Sequence, residues 1–437
     1  MGNFLPEFSK SYCSERHKTD WGKAINFDGE QCGPVREFFI ANVTHWIREY
    51  HLDGLRIDAT QNIYDFDDTH EHILAALTRV AREAAGARRI FIVAENEPQD
   101  VKMVKPPAQG GFGMDAMWND DFHHTAMVAL VGRNEAYYTD YRGSAQELVS
   151  VAKYGFLYQG QWYRWQKQPR GTPALRMHPE QLVLFIQNHD QIANSGLGQR
   201  VNELAGTPRC RAMTAFMLLA PGTPMLFMGQ EFAASSPFLY FADHDSELAK
   251  LVHKGRQEFL AQFRSLASPK VQDALPRPDD PSTFERCKLD FTERQSHAGI
   301  YEMHHDLLRL RREDPVIAAR RPGGVDGAVL GPGAFVIRFF GEEEDRLLLV
   351  NLDIELHLDP APEPLLAPLD GCTWEVMWSS EDLRYGGSGM PPVYSEENWR
   401  LPGRSAVVMR PEVAPPHMRH KAEGEDIEDR LPGERPG

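Results

Sequence analysis

Cysteine is scarce in this 437-residue chain. The five present (Cys13, Cys32, Cys210, Cys287 and Cys372) are odd in number, scattered, and form no CxxC pair. This excludes a disulfide framework and a cysteine-built zinc site, and reads as reduced thiols in a cytoplasmic protein. No apolar run approaches the ~18–20 residues of a membrane span, so no membrane is an expected partner. Met1 to Lys18 holds neither the basic nor the apolar segment of a secretory signal. Positive charge is also in deficit, with Lys+Arg 47 against Asp+Glu 63 and a net charge of −16. A protein that tracks phosphates needs the opposite balance, so no nucleic-acid partner is expected. There is no HExxH, P-loop, GxGxxG or GxSxG segment, and His123-His124 and His304-His305 are adjacent rather than four apart. No metal and no cofactor follow from the sequence.

What the chain does have is 42% hydrophobic and 25% charged residues, ordinary for a globular protein and ample for a large core. From Gly33, apolar residues recur at three- and four-residue intervals up to Tyr50, which predicts a helix with Pro34 in its first turn. Gly54-Leu55-Arg56-Ile57-Asp58 reads as a short strand, His70 to Ala85 as a helix, and Arg89 to Glu95 as a strand covered on both faces. Met114 to Asp120 reads as a further short strand, and Tyr137 to Met177 as aromatic loop. Leu182 to Gln187 is a strand, Arg209 to Leu219 a helix, and Pro224 to Met228 another strand. Strand–helix alternation at this spacing predicts a parallel α/β sheet over residues 1–320. Beyond a helix at Tyr301 to Arg312, the runs 334–339, 346–351, 373–378 and 405–409 are strands without helices between them. They predict a small antiparallel β-sandwich over 321–411, followed by a charged, Pro-rich disordered tail over 412–437.

The strands lead into acidic residues, and active sites of parallel α/β folds collect at the carboxyl ends of strands. Period-2 geometry puts Arg56 and Asp58 on one face, where the guanidinium favours an ionised carboxylate, as a nucleophile requires. A structural ion pair is the alternative. Glu95 leaves a hydrophobic strand, and desolvation raises a carboxyl pKa toward the range of a general acid; capping the next segment is the alternative. Gln187-Asn188-His189-Asp190 places four polar residues after an apolar strand, which packing does not explain. If Asp58 and Glu95 end neighbouring strands, the ~4.8 Å strand spacing brings them within a few ångströms. A carboxyl pair about 5–5.5 Å apart is the arrangement of a retaining glycosidase. Loop aromatics that could stack on sugar faces include Trp118, Trp162, Trp165 and Tyr240.

These three segments (Gly54 to Asp58, Ala94-Glu95 and Asn188-His189-Asp190) resemble, in order and spacing, three of the four hallmarks of the α-amylase superfamily of (β/α)8 TIM-type barrel glycosidases. The resemblance implies Asp58 as nucleophile, Glu95 as acid/base and Asp190 as the third carboxylate. It also implies Arg56 and His189 as substrate-binding residues. Within the superfamily, the segments Thr19 to Asp28, Asn119 to His124, Gln187 to Gln191, Leu226 to Glu231 and Pro237 to Phe241 are most similar to the maltooligosyltrehalose trehalohydrolases. That similarity implies a maltooligosyltrehalose or related α-glucan substrate, with Asp121, His123, His124, Trp118 and Tyr240 at the sugar. It further implies that trehalose is released by cleavage of the neighbouring α-1,4 bond, with no cofactor. The first hallmark, D-x-x-x-N-H, is absent, so the resemblance implies a barrel represented by strands four to eight. A glycogen-branching transferase and a catalytically silent fragment are the alternatives it leaves open.

Overall fold

The helix–strand alternation beginning at Gly33 folds into a parallel sheet. The computed structural model describes residues 5–19, 21–66, 70–395 and 398–414. Its sheet contains β1 (Gly54–Ile57), β2 (Phe91–Ala94), β3 (Ala116–Trp118), β4 (Leu182–Leu184) and β5 (Thr223–Pro224), in that spatial order. All four neighbouring pairs are parallel. Spatial order matching chain order is the product of successive strand–helix–strand units. The helix α1 (Cys32–Arg48) leads into β1, and between the strands lie α2 (Ile73–Ala85), α3 (Asp120–Val131), α4 (Ala145–Tyr154), α5 (His189–Asn194) and α6 (Thr207–Leu219). On α2, Ile73, Leu74, Leu77, Val80 and Ala81 are buried, a stripe at helical spacing that faces the core.

Two strands are shorter than their apolar runs predict. Leu182 to Gln187 pairs only over Leu182–Leu184, and Pro224 to Met228 only over Thr223–Pro224. Phe185, Ile186 and Gln187 are nonetheless buried. An apolar run reports burial on both faces, whereas a ladder also needs a neighbour in register. After Pro224 the chain turns away through Gly229, whose φ of 83° suits glycine. The aromatic stretch expected to be loop contains a hairpin, Gln161–Tyr163 with Gln168–Arg170, and a second hairpin pairs Cys13–Thr19 with Gly22–Ile25. The outer edge of β1 has no strand partner among the described residues; Phe38 and Trp46 of α1, and Tyr50 just after it, are exposed.

The C-terminal part is an antiparallel sheet of β6 (Val325–Gly331), β7 (Ala334–Phe339), β8 (Arg346–Asn351), β9 (Cys372–Ser379) and β10 (Ser405–Val413), in the order β6-β7-β8-β10-β9. It follows α7 (Ala298–Glu313). Period-2 alternation divides its faces. Phe335, Ile337, Leu348 and Val350 join the core that also holds α6, and Phe216 of α6 meets Phe335 at 5.0 Å. Val336, Leu347 and Leu349 point the other way, onto Trp374, Trp399 and Leu401. A small pair, Leu356–Leu358 with Trp399–Leu401, covers that second face. β10 runs through Val413, so the expected boundary at 411 falls inside a strand; most of the expected tail, residues 415–437, lies outside the described residues. No described helix is long and apolar enough to cross a membrane.

Candidate active site

Register decides what the strand ends bring together. Ile57 lies opposite Ala94 in the parallel ladder, so Asp58 and Glu95 leave adjacent strands at one level. Arg56 joins them. Its Nη1 donates to Asp58 Oδ1 at 2.7 Å, and its Nη2 lies 3.1 Å from Glu95 Oε2. Trp118, at the end of β3, supports this guanidinium from beneath, with Arg56 Cζ 4.2 Å from the ring centroid. After Asp58 the backbone turns sharply at Ala59, which takes a left-handed conformation (φ 44°, ψ 48°). That turn aims the Ala59 N–H at Glu95 Oε2, 2.7 Å away, and Thr60 donates through Oγ1 to the Glu95 carbonyl at 2.6 Å. Asn96 in turn donates to Thr60 Oγ1 at 3.0 Å. Oε2 of Glu95 is therefore fixed by the Ala59 N–H and Arg56, while Thr60 fixes the backbone of the same residue.

The two carboxyls sit in different surroundings. Asp58 is 72% exposed at its side chain and Glu95 only 23%. Burial pushes the Glu95 pKa up to about 7; the Ala59 N–H and Arg56 oppose the rise, while Asp58 adds to it through charge and a hydrogen bond. One open carboxylate beside one desolvated carboxyl is a division of labour suited to nucleophile and proton donor.

His189 and Asp190 start α5, whose N-terminus is capped by Asn188; its side-chain oxygen accepts from the N–H groups of Asp190 and Gln191, each at 3.0 Å. His189 Nε2 lies 3.4 Å from Asp190 Oδ2, and both side chains are half-exposed. The Trp118 ring lies 6.2 Å from that of His189. Trp118 thus links the Asp58–Arg56–Glu95 group to His189 and Asp190 at one end of the sheet. Tyr240 is exposed under the Arg256 guanidinium (4.6 Å), and Arg256 donates to Asn194 of α5 at 2.8 Å. Behind α5 is a cavity of about 90 Å³, lined by Tyr137, Tyr138, Gln191, Asn194 and Phe263 among others.

Three residues expected at the sugar are not on the site's surface. Asp121, His123 and His124 are buried inside α3. Asp121 accepts hydrogen bonds from Gln99 (2.9 Å), Tyr141 (2.6 Å) and the N–H groups of Leu157 and Tyr158 (2.6 and 2.9 Å). It ties the loops to the helix and has little acceptor capacity left for a ligand. His123 stacks on Phe185 and His124 on Tyr137, and burial lowers the His123 pKa to about 3, so its ring is neutral. The cause is enclosure of the whole first part of α3: Asp121 through Ala126 are all buried, whichever way they face, and Asp120 at the opening position keeps some exposure. Trp118 is likewise buried, and packs on Arg56 and Phe185 instead of offering a face to a ligand.

Residues that the pattern did not single out also belong here. Asp120 keeps 14% of its side chain exposed, and burial pushes its pKa up to about 7 against the pull of Arg170. Arg170, with its side chain fully buried, donates to the Tyr141 hydroxyl (2.7 Å) and to the Glu97 carbonyl (3.1 Å). Glu97 also pairs with Gln166. The only sequence signal for Asp120 was its place beside Asp121 in Asn119-Asp120-Asp121.

With this geometry in view, the chain is similar to several known proteins. A family model described as a domain of unknown function, DUF3459, matches residues 322–408, the antiparallel sheet. The chain is 36% identical over 359 residues to a malto-oligosyltrehalose trehalohydrolase of Deinococcus radiodurans, covering 80% of this chain and 56% of that protein. It is 36% identical over 334 residues to one of Arthrobacter ramosus, covering 75% and 56%. A 1,4-alpha-glucan branching enzyme of Myxococcus xanthus is 27% identical over 254 residues, covering 52% of this chain and 29% of the enzyme. Among solved structures, a Salmonella typhimurium protein classed as an alpha amylase superposes with TM-score 0.77 at 29% identity, covering 94% of this chain and 65% of that one.

Proposed function

The chain belongs to the malto-oligosyltrehalose trehalohydrolase family, spanning a little over half the length of curated members it matches, and from that premise we propose a retaining glycoside hydrolase that releases trehalose from maltooligosyltrehalose. The observation that carries this reading is the clasp of Arg56 on two carboxyls of unequal exposure, Asp58 and Glu95. In the proposed reaction, an Asp58 carboxylate oxygen attacks the anomeric carbon. Glu95 delivers its proton to the glycosidic oxygen as that bond breaks, so trehalose leaves neutral. The ester to Asp58 is then hydrolysed by a water whose proton returns to Glu95, restoring both groups. Arg56 would hold the Asp58 carboxylate in place through its 2.7 Å hydrogen bond, and Asp190 and His189 would bind hydroxyls of the sugar being transferred.

Incubation of the 437-residue chain with maltotriosyltrehalose tests the reading. Trehalose and maltotriose should appear in equal amounts, and neither should form with Asp58→Asn. New branch points formed on amylose, without trehalose release, would replace the reading with a branching transferase. No turnover of either substrate by a folded chain would overturn it.

A further inference from the structure

We propose that Asp120 is a fourth carboxyl of this site, accepting a hydrogen bond from a hydroxyl of the glucosyl unit on the leaving-group side of Glu95. The inference rests on the reading above and names a substrate contact within it. Asp120 and Asp121 are adjacent and both largely enclosed, yet they are treated oppositely. Asp121 receives four hydrogen bonds. Asp120 receives none at its carboxyl among the described residues, and its nearest cation, Arg170 Nη2, lies 3.5 Å from Oδ2. That same Nη2 is buried and has no hydrogen-bond partner among the described residues, although the Arg170 side chain is fully enclosed.

A carboxyl and a guanidinium facing one another with unused donor and acceptor capacity are costly in a purely structural role. A substrate hydroxyl can reach the part of the Asp120 carboxyl left open and donate to it, with the enclosed Arg170 guanidinium as the counter-charge behind. Position supports the side chosen. In the sheet order β1-β2-β3, Asp58 follows β1, Glu95 follows β2 and Asp120 lies two residues past β3. Asp120 thus flanks Glu95 on the side away from the nucleophile. Asp120 feels the charge of Glu95, and the Tyr137 and Tyr138 hydroxyls feel that of Asp120, which places it in the same polar enclosure.

The test uses the full chain, with maltotriosyltrehalose as substrate and trehalose as ligand, and compares the parent with Asp120→Asn, Asp120→Glu and Glu95→Gln. Asp120→Asn should raise KM and weaken trehalose binding by calorimetry, each about tenfold, while kcat falls less than about threefold. Asp120→Glu should restore part of the affinity. A folded Asp120→Asn with KM and trehalose affinity within about twofold of the parent would overturn the inference. If the amide variant does not fold, unchanged KM and affinity in Asp120→Glu would overturn it equally. Loss of turnover in Glu95→Gln beside a silent Asp120 would sink this inference alone. Parent-like turnover in Glu95→Gln would sink the underlying reading instead.

Discussion

Glu95 concentrates the chemistry of single residues, because its protonation is set by burial. In the proposed role of proton donor it must be neutral, so turnover should fall as pH rises through about 7, where its carboxyl ionises. Glu95→Gln should lower kcat by ~10²–10⁴ and abolish that alkaline limb in a pH–rate profile. Stability carries the same sign. The folded-state pKa lies above the ordinary 4.5, so the contribution is fully present below 4.5 and is lost as pH rises through about 7. At pH 8 Glu95→Gln should therefore be more stable than the parent, by ~2 kcal/mol in urea unfolding once partial exposure is discounted. Asp121 should behave oppositely. Asp121→Ala removes the acceptor of four hydrogen bonds beside buried Arg170 and should cost ~3–5 kcal/mol in thermal or urea unfolding. An unchanged melting temperature with raised KM would instead make it a substrate ligand.

At the scale of elements, the strand ends are set by register, and register depends on close backbone approach. A Cβ on Gly54 would lie 2.0 Å from the Phe91 carbonyl oxygen on the paired strand. Gly54→Ala should therefore destabilise the chain by ~1–3 kcal/mol and lower kcat as well, by separating Asp58 from Glu95. Parent-like kcat in the folded variant would show that the pair tolerates a shifted β1. The strand–helix order was readable because α2 and β2 carry their periodicity in their own residues, and the meeting of Arg56, Asp58 and Glu95 was readable from their places at neighbouring strand ends. Three things were not. The ladder ends at Leu184 because pairing depends on a neighbour in register. The hairpin 161–170 forms through polar and aromatic residues with weak alternation. The burial of Asp121 and His123 comes from the loops and helices that enclose the first part of α3 on every side, which their own residues do not report.

For the whole molecule, the parallel part and the antiparallel sheet share one apolar core through α6. Arg211 reinforces the junction, donating to Glu381 at 2.8 Å and to the Gly386 carbonyl at 3.2 Å. Both side chains of the Arg211–Glu381 pair are buried, so Arg211→Ala strands a carboxylate at the junction and should cost ~3–5 kcal/mol. Far-ultraviolet circular dichroism and tryptophan fluorescence should still report one coincident transition; two separated transitions would mean that the sheets fold independently. This shared core fixes the platform on which the two carboxyls stand, and the central claim is that they act as nucleophile and acid/base. Mass spectrometry after reaction with a fluoro-substituted activated α-glucosyl donor tests it most directly. The account predicts a single glycosyl adduct on the peptide carrying Asp58, absent from Asp58→Asn. An adduct on another carboxylate, or turnover of the donor with no adduct, would contradict it.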